Sequence, residues 1–155
     1  MPSTAHGRRA IALLSLFVLG GAVAVTREDQ PAVRVVTTAD ITWNSVAGYP
    51  PGYARAMLDG EAAKAIPFTY RLRLPALFKF QPHTHESDEH VTVLQGTWSF
   101  GVGETFDASR LRAVPSGSFV IIPAGTPHFV ATEGETVVQV HGVGPIRFRP
   151  VTRER

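Results

Sequence analysis

The chain has 155 residues, of which 44% are hydrophobic and 18% are charged. This length and composition are typical of one globular domain and exclude disorder over most of the chain. The formal net charge of +2 includes Arg8 and Arg9, and without residues 1–24 the chain has 13 basic and 13 acidic residues. With no basic patch, we expect no nucleic-acid partner. The absence of cysteine excludes disulfides and thiolate ligands.

The N-terminal segment has the pattern of an export signal. Arg8 and Arg9 precede an uncharged apolar run over residues 10–25, which ends in the small residues 22–24. This pattern predicts a secretory signal peptide over residues 1–24, and the arginine pair is also found in twin-arginine signals. The alternative is an uncleaved anchor, although the run is shorter than the roughly 20 residues that span a membrane. We therefore expect an exported protein, periplasmic or secreted, with no membrane association after cleavage.

The rest of the chain alternates short β-rich runs with glycine and proline turns. Strands are predicted where apolar residues alternate or β-branched residues cluster, over residues 68–74, 91–94, 119–122, 136–141 and 146–149. Residues 54–58 also favour a strand over a helical turn, because Gly52 precedes them and Asp59-Gly60 follows. Many short strands separated by turns predict an all-β sandwich or barrel.

Four of the five histidines that follow the export segment lie in two short stretches. His83 and His85 are two residues apart, so on an extended backbone both side chains project from the same face. Glu89 begins the next apolar strand, and His128 follows the turn after strand 119–122. Three imidazoles and a carboxylate suit a divalent first-row transition metal. A His-x-His pair alone does not distinguish metal ligands from surface histidines.

Both stretches together match a known pattern. The first fits H-x-H-x3-E-x6-G and the second fits G-x5-P-x-G-x2-H, through residues His83, His85, Glu89, Gly96, Gly117, Pro123, Gly125 and His128. Two such motifs in this order, separated by one hairpin, resemble the cupin superfamily. Within it, the chain is most similar to small exported or ChrR-like single-domain proteins.

The resemblance implies a fold and a ligand set. The fold would be a single conical, jelly-roll-like β-barrel of two antiparallel sheets over residues 66–150, after the signal segment and an N-terminal extension with short strands over residues 25–65. The metal would lie inside the barrel. The implied ligands are His83, His85, Glu89 and His128. The asparagine that closes the family pattern is replaced by Thr132, and this position is structural in the family.

Three further polar residues have two interpretations each. Strand parity places His90 on the face opposite Glu89, which predicts a surface role, whereas a slip of one residue in register would make His90 the ligand. Gln139 and His141 share one face of their strand. If that face lines the cavity, they are candidate catalytic residues that orient a substrate or water, and otherwise they are solvated.

The function predicted from the sequence is that of an exported metal-binding cupin. The cofactor would be one divalent transition metal (Fe, Mn, Ni, Cu or Zn), and the activity a dioxygenase or oxidase reaction on a small oxygenated substrate. The alternative is a non-catalytic module that binds a small ligand or acts as a sensor, with a structural metal. Trp98 and Phe100 alternate on the strand after Gly96. If they face outward they favour a homodimer, and if inward they belong to the core.

Overall fold

The computed structural model describes residues 32–152. The predicted signal segment lies outside them and stays a prediction. The chain divides into two units, Met1–Arg34 and Val35–Arg155, and every strand of the described residues belongs to the second. Within residues 32–152 no helix is long and apolar enough to cross a membrane.

The described residues form two antiparallel sheets. Their strands are β1 (Asn44–Ser45), β2 (Ala54–Gly60), β3 (Pro67–Leu74), β4 (Lys79–Thr84), β5 (Glu89–Gln95), β6 (Thr97–Val102), β7 (Arg112–Pro115), β8 (Phe119–Ile122), β9 (His128–Ala131), β10 (Thr136–Val143) and β11 (Arg149–Pro150). One sheet has the order β1-β2-β3-β10-β5-β8 and the other β11-β4-β9-β6-β7. Short 3-10 turns occur at Thr38–Asp40 and Ala108–Arg110. The predicted all-β fold of two antiparallel sheets is confirmed.

Most of the predicted strands coincide with observed ones, but the prediction over residues 146–149 is wrong. The chain is irregular from Gly144 to Phe148, and β11 contains only Arg149–Pro150. The Ile146 amide donates to the carbonyl oxygen of Ala62 at 2.7 Å, and the Arg147 amide donates to the Glu86 carboxylate at 3.0 Å. The backbone of this segment is thus satisfied by loop partners rather than by a neighbouring strand.

The hydrophobic core lies between the sheets. The alternating strand β3 buries Phe68, Tyr70, Leu72 and Leu74, as expected for a sheet with one face in the core. On the other sheet Trp98 is 4% exposed and stacks on Phe100 with ring centroids 5.1 Å apart. These two aromatic residues therefore belong to the core, and the homodimer stays a prediction without their support.

The N-terminal extension contributes directly to the larger sheet. Strand β2 pairs with β3 from Ala54 to Gly60, and β1 pairs with β2. The hydrogen-bonded sheet thus includes residues on both sides of the domain boundary expected at residue 65.

Two turns depend on glycine for different reasons. Gly96 has a φ of +76°, and a Cβ added there would lie 2.5 Å from the carbonyl oxygen of Glu135. Gly117 has a φ of +87°, but an added Cβ would meet no atom within 4 Å. Only glycine adopts such φ values without strain, and Gly96 has the additional constraint of close backbone approach.

We predict that Gly96→Ala destabilises the protein more than Gly117→Ala does. The left-handed conformation alone costs the Gly117 variant about 1–2 kcal/mol, whereas the Gly96 variant must also move the Glu135 carbonyl. Chemical denaturation of both variants measures the difference. Equal losses in the free energy of unfolding would show that the backbone contact at Gly96 is unimportant.

Candidate metal centre

Three histidines converge between the sheets. His83 on β4 is the cross-strand partner of His128 at the start of β9, and their ring centroids lie 4.1 Å apart. His85 follows the end of β4, with its ring 5.1 Å from His83 and 5.4 Å from His128. One ligand nitrogen from each of the three lies within 4.8 Å of the others. The His-x-His spacing and the strand pairing together produce this cluster.

The fourth predicted ligand comes from the opposite sheet. Glu89 is the first residue of β5 and is 8% exposed. Its Oε2 lies 3.5 Å from Nε2 of His85 and 3.6 Å from Nε2 of His128. The structure thus brings His83, His85, Glu89 and His128 together, with side chains from both sheets.

Hydrogen bonds from the turn after β8 hold the loop that carries His85. The Gly125 amide donates to the carbonyl oxygen of His85 at 2.8 Å, and the neighbouring Ala124 amide donates to the Asp88 carboxylate at 2.8 Å. Gly125 has a φ of +73°, in the turn between β8 and His128. These bonds tie the turn after β8 to the loop that carries His85.

The hydrogen bonds of the three imidazoles determine which nitrogen faces the centre. Each Nδ1 lies against a backbone carbonyl oxygen: His83 with Gln81 at 2.7 Å, His85 with Arg147 at 2.8 Å and His128 with Thr126 at 2.9 Å. A carbonyl oxygen only accepts, so each Nδ1 carries the hydrogen and donates it. In the neutral imidazole Nε2 then has its lone pair available for a metal ion, an arrangement common in metal sites.

The charge state of His83 agrees with a ligand role. Burial and, to a smaller extent, the nearby His128 together lower the pKa of His83 to about 3. The imidazole is therefore neutral near neutral pH, as a metal ligand must be. The Nε2 atoms of His85 and His128 face the Glu89 carboxylate, an arrangement that a divalent cation between them would stabilise.

A cavity of about 140 Å³ opens onto this cluster and is bounded by His83, His85 and Glu89. Aromatic side chains form much of its wall, and Phe148 stacks on the His83 ring with centroids 4.2 Å apart. His128 lies deeper and lines a smaller space of about 20 Å³. The cluster thus lies at the inner end of an accessible cavity.

Several residues that line the cavity were not predicted from the sequence: Tyr49, Tyr53, Arg55, Tyr70, Phe80 and Phe148. The alternation of apolar and polar residues in β3 places Tyr70 on the buried face, so the sequence pattern could have indicated that Tyr70 faces the interior. The first three lie in the segment that was expected to be an extension outside the barrel domain. Nothing in their local sequence indicates that they reach the site.

The structure places Gln139 and His141 away from the cavity. The alternate residues Val138 and Val140 line the interior, so Gln139 and His141 lie on the outer face of β10. Gln139 accepts a hydrogen bond from Nε of Arg71 at 3.1 Å. Neither residue contributes to the wall of the cavity.

His90 also lies on the outer face, as strand parity predicts. It is paired with His141 across the strands, with ring centroids 5.1 Å apart, and its ring lies 5.8 Å from that of Phe119. Glu89, the adjacent residue, faces the histidine cluster. The register that directs Glu89 inward therefore directs His90 outward.

Thr132 has a structural environment. Its side chain accepts a hydrogen bond from the Phe78 amide at 3.1 Å and donates one to the carbonyl oxygen of Pro75 at 2.7 Å. Both bonds connect the end of β9 to the turn between β3 and β4.

Two antiparallel β-sheets with a cluster of three histidines between them, supplied by the two sequence motifs, are typical of a cupin. The model of the ChrR cupin-like domain family matches residues 31–147. The chain therefore belongs to this family. No curated protein matches it by sequence.

Solved structures similar to this chain have several activities. The polyketide cyclase RemF from Streptomyces resistomycificus is 21% identical, with a TM-score of 0.60 over 79% of this chain and 88% of its own. The DMSP lyase DddQ from Ruegeria pomeroyi is 23% identical, with a TM-score of 0.54 over 68% and 57%. Salicylate 1,2-dioxygenase from Pseudoaminobacter salicylatoxidans, solved with gentisate, is 14% identical, with a TM-score of 0.54 over 67% and 30%. At these identities the similarity establishes the fold alone.

We predict that Glu89→Ala lowers metal affinity by about tenfold or more, since even partners of metal ligands contribute that much. His90→Ala should retain the metal, because its side chain lies on the other face. Elemental analysis of both variants, followed by titration with zinc, measures the effect. Loss of metal from His90→Ala and not from Glu89→Ala would mean that β5 is shifted by one residue, so that His90 and not Glu89 faces the metal.

Proposed function

We propose that this protein binds one divalent transition metal through His83, His85, Glu89 and His128 and uses it in dioxygenase-like chemistry on a small oxygenated substrate. The observation that carries the proposal is the convergence of three Nε2 lone pairs and a carboxylate at the inner end of an open cavity. Imidazole and carboxylate ligands in this mixture suit Mn, Fe, Ni, Cu or Zn.

Access from the cavity favours a catalytic over a purely structural metal. Structural sites are usually closed by protein ligands, whereas catalytic sites keep a position for substrate or water. Here His83, His85 and Glu89 all border the cavity. A molecule that enters can therefore reach the centre directly.

The bound ion would supply Lewis acidity, which polarises substrate oxygen atoms, and for a redox-active ion the activation of O2. The residues of the chain have separate roles. The backbone carbonyls that accept from Nδ1 fix the orientation of the imidazoles. The aromatic wall, which includes Phe80 and Phe148, provides a surface on which a planar substrate can pack.

A dioxygenase reaction is favoured because the candidate ligands suit a redox-active metal ion and lie beside an aromatic wall. The structural similarity to a dioxygenase solved with gentisate agrees with a small aromatic substrate, although the cyclase and lyase neighbours have the same fold. Fold similarity alone does not determine the reaction. The proposal therefore rests on the site.

The first test combines metal analysis with oxygen uptake. Protein purified without chelator should contain about one transition ion per chain, and protein loaded with iron(II) or manganese(II) should consume oxygen with at least one member of a panel of hydroxylated aromatic acids. His128→Ala should lose both properties. His141→Ala, a histidine on the outer face, is the matched control and should keep both.

Two outcomes would contradict this proposal in different ways. Substoichiometric metal after reconstitution with every first-row divalent ion would exclude the metal site. Full metal occupancy with ligand binding but no turnover would exclude the enzymatic function and favour the alternative, a non-catalytic binding or sensor module.

Metal removal should also lower stability. His83 and His128 come from different strands and Glu89 from the other sheet, so the unfolded chain does not reproduce the site. An ion present at 100 times its Kd then stabilises the fold by about 2.7 kcal/mol. We expect chelation to lower Tm by on the order of 10 °C in a thermal melt. An unchanged Tm in a sample shown to have lost its metal would exclude a structural contribution of the ion.

A further inference from the structure

We propose that Arg55, together with the hydroxyl groups of Tyr53 and Tyr70, forms an anion subsite in the cavity and that the substrate carries a carboxylate. This inference rests on the proposed function, since it concerns the substrate of the same site. It assigns a binding role to residues that neither sequence motif includes.

The position of Arg55 follows from strand register. Arg55 on β2 is the cross-strand partner of Leu72 on β3, which in turn pairs with Val138 on β10. Leu72 and Val138 are buried residues of the inner face. Arg55 therefore projects from that same face, and its side chain lines the cavity.

Arg55 provides the positive charge of this wall. Among the described residues that line the cavity, it is the one arginine or lysine. Its guanidinium lies 5.9 Å from the centroid of the Tyr70 ring, and within residues 32–152 it forms no ion pair with a carboxylate. Arg55 is exposed to solvent as well as to the cavity, and a guanidinium without a carboxylate partner presents a planar set of donors that matches a carboxylate.

Two tyrosines add neutral donors beside it. Tyr53 is 7% exposed and Tyr70 is 8% exposed, and both line the cavity. Burial raises the pKa of each well above its ordinary value, so both remain protonated and can donate. Tyr49 stacks on Tyr53 with ring centroids 4.1 Å apart, which restricts the orientation of the Tyr53 ring.

The charge balance also favours an anion. The cavity wall contains one carboxylate, Glu89, and one guanidinium, Arg55. A divalent ion on the three histidines would leave an excess of positive charge along the cavity wall. A carboxylate on the substrate would offset this excess, whereas a neutral substrate would leave it uncompensated.

The aromatic wall of the cavity indicates the shape of the rest of the substrate. Phe80 and Phe148 have ring centroids 5.7 Å apart, and both rings contact the His83 ring. A flat apolar body can pack against them while its carboxylate reaches Arg55. The substrate class is therefore a small aromatic or unsaturated carboxylic acid with an oxygen atom that can approach the metal.

The test compares two probes of the same shape on zinc-loaded protein by isothermal titration calorimetry. The probes are 2-hydroxybenzoate, which is anionic near neutral pH, and 2-hydroxybenzamide, which is neutral. The wild-type protein should bind the carboxylate at least about tenfold more tightly than the amide. Arg55→Gln should bind both about equally, with its zinc content unchanged.

Arg71→Gln is the matched control. Arg71 lies on the adjacent strand but on the outer face, where it donates to Gln139, so this variant should retain the preference for the carboxylate. Zinc content is measured on every sample, which separates the two proposals. Full zinc content with no preference in the wild-type protein, or an undiminished preference in Arg55→Gln, would overturn the subsite. Absence of zinc from all three proteins would contradict the metal site and the subsite that depends on it.

Discussion

The structure of the site depends on three hydrogen bonds from imidazole Nδ1 to backbone carbonyl oxygens. They determine the tautomer of His83, His85 and His128, and thereby direct three Nε2 lone pairs toward one point. The Glu89 carboxylate lies against two of these nitrogens. Without a cation, this arrangement leaves acceptors facing acceptors. The metal centre is therefore a consequence of how the backbone is satisfied and not only of which residues are present.

The fold brings the candidate ligands together from both sheets. Strand β4 pairs with β9, which brings His83 beside His128, while Glu89 begins β5 in the opposite sheet. The irregular segment after β10 contributes the carbonyl of Arg147 that orients His85. Because the same segment contributes Phe148 to the cavity wall, the path of the chain near its C-terminus serves both ligand orientation and substrate access.

The parts of the site that depend on local spacing could be predicted from the sequence. The two-residue separation of His83 and His85 and the parity of Glu89 and His90 follow from the period of an extended strand. The face of Gln139 and His141 could not be predicted, because one strand without its partners does not define which side is inward. Arg55 could not be predicted either, since its approach to the cavity depends on the pairing of β2 with β3. The prediction of a strand over residues 146–149 was wrong, because the backbone of this segment forms hydrogen bonds to distant loops despite its alternating apolar and polar residues.

If three imidazoles, each with its hydrogen on Nδ1, bind one metal ion through Nε2, their nitrogen resonances report it. The decisive measurement is histidine-selective ¹⁵N NMR of the protein before and after addition of zinc. We expect three of the histidines to retain protonated Nδ1 and to show a metal-bound Nε2 shift, while His90 and His141 are unchanged. Zinc-induced shifts at His90 and His141, or coordination through Nδ1, would contradict this expectation.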